Sequence, residues 1–153
     1  MDLKALVAKQ RDALADLKTK TVEVVLGGEA VEVVLAKVSP DEWQELAADH
    51  PPRKTNTGDH SIGYDQYALP RDYPADRITV GGEAVDQEQW AEIYSVLEAV
   101  HRNSIGSLIW GLNVLDVMEE LQRLGKAAAG RRSASPANRE SRRAASKGAS
   151  RQK

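Results

Sequence analysis

The chain has 153 residues, a length that fits one domain and leaves two full domains tight. Hydrophobic residues make up 41% and charged residues 29%, and there is no cysteine, which excludes disulfide frameworks, cysteine-ligated zinc, iron–sulfur clusters and thiol nucleophiles. The net charge of -2 conceals a split: residues 126–153 hold nine Lys or Arg against one acid, Glu140, whereas the first 125 residues hold twelve bases against twenty-two acids.

No apolar run approaches the ~18 residues that cross a membrane. Met1-Asp2-Leu3-Lys4 lacks the basic start and apolar block of a signal peptide. A soluble intracellular protein is expected. Residues 2–18 place Leu3, Leu6, Val7, Ala13, Leu14 and Leu17 at helical spacing, which predicts an amphipathic helix. Val22-Glu23-Val24-Val25-Leu26, Gly27-Gly28 and Val31-Glu32-Val33-Val34-Leu35 read as a β-hairpin, with β-branched strands around a double-glycine turn. Ser39-Pro40-Asp41-Glu42 is a helix start: Ser39 caps, Pro40 suits the first helical position, and Glu42 completes a capping box. Trp43, Leu46 and Ala47 form the apolar stripe of that helix, which Pro51-Pro52 ends.

Residues 53–76 are polar and turn-rich, with Tyr64, Tyr67 and Tyr73 among them, and read as one long loop. Residues 77–80 suggest a short strand leading into Gly81-Gly82. The string Gly-Gly-Glu-Ala-Val occurs at both Gly27 and Gly81, too short a match to mark a repeat. Asp86 with Gln89 resembles a second capping box, followed by Trp90, Ile93, Tyr94, Leu97 and Val100 at helical spacing. From Asn103 or Ser104 a further stripe runs through Ile105, Leu108, Ile109, Leu112, Leu115 and Met118, then Leu121 and Leu124, and Gly125 is placed to stop it. Gly106 and Gly111 each cost this helix ~1 kcal/mol of propensity, which suggests close packing there. Beyond Gly125 there is no Val, Ile, Leu, Met, Phe, Trp or Tyr. The fold class expected is therefore α+β and mainly α. An N-terminal helix and β-hairpin lead into a small helical domain over residues 1–125. A basic tail over 126–153 follows, disordered from residue 130 on.

Enzymatic signals are weak. Asp59-His60-Ser61 has triad residue types, but three consecutive residues do not supply triad geometry. His50, Asp59 and His60 are legitimate zinc ligands, yet read more simply as surface loop residues. The glycine pairs fit neither Gly-x-x-x-x-Gly-Lys nor Gly-x-Gly-x-x-Gly. Glu42 and Glu45, Glu88 and Glu92, and Glu119 and Glu120 read as solvated helix faces. Trp43 and Trp90 read as core residues with a partner for each indole N–H, and Trp110 as core or surface. The basic tail, with Arg131, Arg132, Arg139, Arg142, Arg143, Lys147 and Arg151, could bind nucleic acid in a steeply salt-dependent, sequence-independent way. It has no aromatic residue on which bases could stack.

The order of these features resembles a known family. The hairpin leads into Val38-Ser39-Pro40-Asp41-Glu42-Trp43 and then Ala48-Asp49-His50-Pro51-Pro52-Arg53. A Gly-Tyr-x-x-Tyr-x-Leu-Pro loop follows from Gly63 to Pro70, then the capped helix from Asp86, a helix around Leu112-Asn113-Val114, and an Arg/Ser/Ala tail. This resembles the small tail assembly chaperones of long-tailed bacteriophages, over roughly residue 22 to the C-terminus. Many members carry a hydrophobic helix and a Cys-containing stretch in mid-chain, where this chain has the polar Arg71-Asp72-Tyr73-Pro74.

The resemblance implies a non-enzymatic protein without cofactor, in the host cell cytoplasm. Such proteins coat the helical tape measure protein before the tail tube forms, and often occur in two lengths through a ribosomal frameshift. This chain would be the shorter form, with the tape measure protein and possibly tail tube subunits as partners. The candidate surface is the stripe Ile105, Leu108, Ile109, Leu112 and Leu115, which reads equally as plain core. A nucleic-acid-associated protein and a neck or other virion subunit are the alternatives.

Overall fold

The computed structural model describes residues 1–133. Residues 1–115 form one compact unit, and a second begins at Asp116. The fold is α+β and mainly helical, with one four-stranded antiparallel sheet in the order β1-β2-β3-β4.

Helix α1 (Leu3–Ala15) starts at Asp2, whose carboxylate accepts the N–H groups of Lys4 and Ala5. It buries no residue, so its apolar stripe faces outward. Strands β1 (Thr19–Leu26) and β2 (Glu29–Ala36) pair through Leu26↔Glu29. Gly27 and Gly28 both hold positive φ, 60° and 79°, as a type I′ turn requires. Period-two alternation then sends Val24, Val33 and Leu35 into the core. The other face carries Glu23 directly opposite Glu32.

Helix α2 (Pro40–Asp49) begins as expected, with the Glu42 N–H donating to Ser39 Oγ. The box is only half closed, because the Glu42 carboxylate takes the Arg77 guanidinium instead, at 3.3 Å. The expected long loop is in fact two short helices, α3 (Thr57–Ile62) and α4 (Ala68–Arg71), then a 3₁₀ turn at Ala75–Arg77. Asn56 caps α3 through the Asp59 N–H, and Gly63 closes it in the left-handed region at φ 90°. Periodicity missed them because neither is long enough to show a stripe. Strands β3 (Ile78–Val80) and β4 (Glu83–Ala84) complete the sheet around Gly81-Gly82, at φ 59° and 80°. The repeated Gly-Gly-Glu-Ala string is thus the same hairpin turn used twice.

Helix α5 (Gln87–Val96) carries the complete capping box of Asp86 and Gln89. It stops before Val100, because Leu97 and Glu98 are extended and the Arg102 guanidinium takes the carbonyls of Leu97 and Ser95. Helix α6 (Ala99–Trp110) then passes into a π-helical segment, Gly111–Leu115. Asn113 in that segment accepts the Val38 N–H and donates to the Tyr73 hydroxyl and the Ile109 carbonyl. Tyr73 in turn donates to the Ala36 carbonyl at 2.7 Å. This network pins the end of β2 to the widened turn. The core gathers Val24, Val33, Leu35 and Ile78 of the sheet with Leu69, Tyr73, Trp90, Tyr94, Leu97, Ile105, Ile109 and Leu112. Each large apolar side chain contributes ~1.5–3 kcal/mol by its burial. The Trp90 indole donates to the Pro70 carbonyl, while Trp43 and Trp110 are half-buried.

In the second unit, α7 (Asp116–Ser133) runs through Gly125, which was expected to end it. The following Lys126-Ala127-Ala128-Ala129 are strong helix formers and offset the ~1 kcal/mol cost of one glycine. The assigned helix extends to Ser133, into the segment expected to be disordered from residue 130 on. The remainder of that expectation lies outside the described residues.

Candidate interaction surfaces

The segment between α2 and α4 is organised by one buried carboxylate. Asp59 is fully buried and accepts the backbone N–H of Arg53 at 3.1 Å, its Nε at 2.7 Å and its Nη2 at 3.1 Å, plus the Gln66 N–H at 3.2 Å. The Arg53 guanidinium holds this carboxyl well below the usual carboxylate range. Sequence reasoning placed Asp59 on a surface loop; the arginine six residues earlier is what allows its burial. Asp59 therefore lies apart from its sequence neighbours: Ser61 donates to the Thr57 carbonyl, and the exposed His60 reaches the Lys54 carbonyl. His50 caps α2, with Nδ1 donating to the Leu46 carbonyl and Nε2 against Asp72 at 2.8 Å. Among the described residues, no group of three His, Asp or Glu is placed to hold a metal ion.

A groove of about 590 Å³ lies between α6 and the α3–α4 segment. Tyr64, Pro70 and Trp110 wall it, Gly106 stands at its floor, and Gln66, Arg102, Asn103 and Ser107 supply polar edges. Tyr64 packs edge-on against Trp43 at 5.5 Å and tilts against Trp110 at 6.3 Å, so the aromatic wall is braced from α2. A second cleft of about 330 Å³ shares Gln66, Arg102 and Asn103 with the first and continues past Tyr67 and Tyr94. Arg102 lies over both of these rings, 5.5 Å and 5.4 Å from their centroids. The α6 residues that face the two clefts, Ala99, Arg102, Asn103, Gly106, Ser107 and Trp110, follow one helical stripe. An aromatic wall, a small-residue floor and hydrogen-bonding edges suit a peptide or helix with an apolar face.

This stripe differs from the one the sequence suggested, of which only Leu115 lines the larger groove. Ile105, Ile109 and Leu112 are buried in the core, Leu108 is half-buried, and only Leu115 is exposed. The five residues do not form one accessible face, because three lie in the core and Leu115 sits at the end of the π segment, exposed beside the groove. Sequence reasoning missed Tyr64, Arg102 and Trp110 as a group. The signals available were the two glycines in the helix and the wealth of Trp and Tyr with no Phe.

Two other apolar stripes are exposed. On α1 it comprises Leu3, Leu6 and Val7, and on α7 Val117, Met118, Leu121 and Leu124. Of the basic tail residues, Arg131 and Arg132 fall in the last turn of α7; Arg139, Arg142, Arg143, Lys147 and Arg151 lie outside the described residues. No helix among the described residues is long and apolar enough to cross a membrane. No protein-family model, curated protein or solved structure matches the chain.

Proposed function

We propose that this protein is a phage tail assembly chaperone, a non-catalytic binder that holds amphipathic helices of the tape measure protein in solution. The observation that carries the reading is the α6 groove, with the Tyr64 and Trp110 rings over the Gly106 floor. An amphipathic helix exposes a row of apolar side chains and aggregates unless that row is covered. A groove of this size accepts one or two of those side chains, and its polar edges fix orientation. The acidic charge of the first 125 residues favours solubility of the free chaperone.

Co-expression with the tape measure protein tests the reading. The full chain should raise the soluble fraction of the tape measure protein and co-purify with it. Gly106→Leu fills the groove from its floor, where a Cβ meets Pro70 at 3.7 Å, and Trp110→Ala removes its wall. Both should abolish co-purification while circular dichroism stays native. A tape measure protein that is equally soluble without the chain, or retained by both variants, would sink the proposal. Mass spectrometry of the products of the intact gene region adds a second arm, with a minor longer product sharing this N-terminus as the expected result.

A second reading concerns the nine cations of the tail. Binding to duplex DNA that weakens steeply with salt, and disappears on deletion of residues 130–153, would favour it.

A further inference from the structure

Helix α7 is 18 residues long, about 27 Å at ~1.5 Å per residue. Its apolar residues are exposed: Val117 at 48%, Leu121 at 71% and Leu124 at 54%, with Met118 beside them at 50%. Val117, Leu121, Leu124 and Ala128 are spaced by four, three and four. That is the a/d seam of a two-stranded coiled coil, narrower than the stripe of a helix that packs on a broad core.

Charge along the helix identifies the partner. Asp116, Glu119 and Glu120 occupy the first turns, and Arg123 and Lys126 follow them. A second α7 laid parallel sets acids beside acids and bases beside bases. Laid antiparallel, each acidic start runs along the basic stretch of the other copy. The same reversal matches the seam: with the two-fold axis between positions 122 and 123, Leu121 of each copy meets Leu124 of the other, and Val117 meets Ala128. We propose that α7 pairs antiparallel with the α7 of a second copy of this chain, forming a two-fold symmetric dimer. The inference stands independently of the chaperone reading, since it uses no residue of the α6 groove.

The natural absence of cysteine makes the test direct. Val117 and Ala128 are separated by about 16 Å along the helix, well beyond the ~7 Å Cα separation that a disulfide spans. Full-length Val117→Cys and Ala128→Cys proteins, mixed and oxidised, should give a heterodimeric disulfide. Each alone should give several-fold less cross-linked product. Leu121→Glu with Leu124→Glu, added to both, should abolish the cross-link while the body of the protein keeps its melting curve. Light scattering should show the mass rising toward twice 16.7 kDa with concentration. Efficient self-cross-linking of Val117→Cys alone would mean a parallel pair and overturn the proposal. So would a mass that stays monomeric up to about 1 mM, a weak limit for specific association, or a cross-link indifferent to the glutamates.

Discussion

Truncating Ile109 to alanine separates the two roles an apolar stripe can have. Ile109 is fully buried on α6. Three carbons leave at ~0.8 kcal/mol each, about 2.4 kcal/mol in all. A residual cavity of ~50 Å³ adds roughly 1.2 kcal/mol at ~24 cal/mol per Å³. The sum, about 3.6 kcal/mol, is a large share of the ~5–15 kcal/mol that holds a domain together. With a urea slope of ~1.5 kcal/mol per M, the midpoint should fall by about 2 M. Leu121→Ala is the control, because it trims an exposed side chain and should stay within ~0.5 kcal/mol in dilute protein. The assay is urea unfolding followed by tryptophan fluorescence, for which the buried Trp90 is a natural reporter. A midpoint unchanged in Ile109→Ala, or moved as far by Leu121→Ala, would refute the assignment of Ile109 to the core and α7 to the surface.

Three further outcomes follow from the polar groups. Asn113→Ala leaves the Val38 N–H without its acceptor and removes one bond to the Tyr73 hydroxyl, which keeps the Ala36 carbonyl, and should cost ~1–3 kcal/mol by urea unfolding; a neutral result would mean the π segment relaxes freely. Asp59 has a lowered pKa in the folded state, so its contribution is complete above the unfolded value near ~3.9 and is lost as pH falls toward the folded one. The melting temperature should therefore drop steeply below about pH 4, and Asp59→Asn should be less stable at neutral pH and much flatter in acid. Burial raises the Tyr64, Tyr73 and Tyr94 hydroxyls to about 12. Here the stability is complete below the unfolded value near ~10 and is lost as pH rises through the folded one. Absorbance from these three tyrosinates should thus rise together with unfolding near the alkaline end; their ionisation near pH ~10 with the fold intact would contradict their burial.

What the sequence made legible was set by range. The Ser39 cap, the Asp86–Gln89 box and the Gly27-Gly28 hairpin depend on residues within four positions of one another, and each is found where its local chemistry places it. The α3–α4 segment depends on Asp59 reaching Arg53 and Gln66, and on Tyr64 reaching Trp110, relations that no short window contains. The long stripe from Ile105 to Leu124 shows the limit most clearly. Its spacing is helical throughout, yet its first half lies in the core and its second half on an exposed helix. Period reports which residues share a face and nothing about what stands opposite. The groove face of α6 was harder still, since glycine, serine and asparagine give no periodic signal.

The three residues of β3 have a consequence for how the protein fails. They are the cover on the second edge of β2, with Val33, Val34 and Leu35 paired to Val80, Thr79 and Ile78. That cover arrives only after the whole α2–α4 segment has folded and brought its far end back to the hairpin. The hairpin, being local, forms early, and until β3 docks it offers a valine-rich edge to any other chain. Lesions in the Asp59 clamp should therefore show themselves less as lost binding than as slow refolding and aggregates rich in intermolecular β-structure.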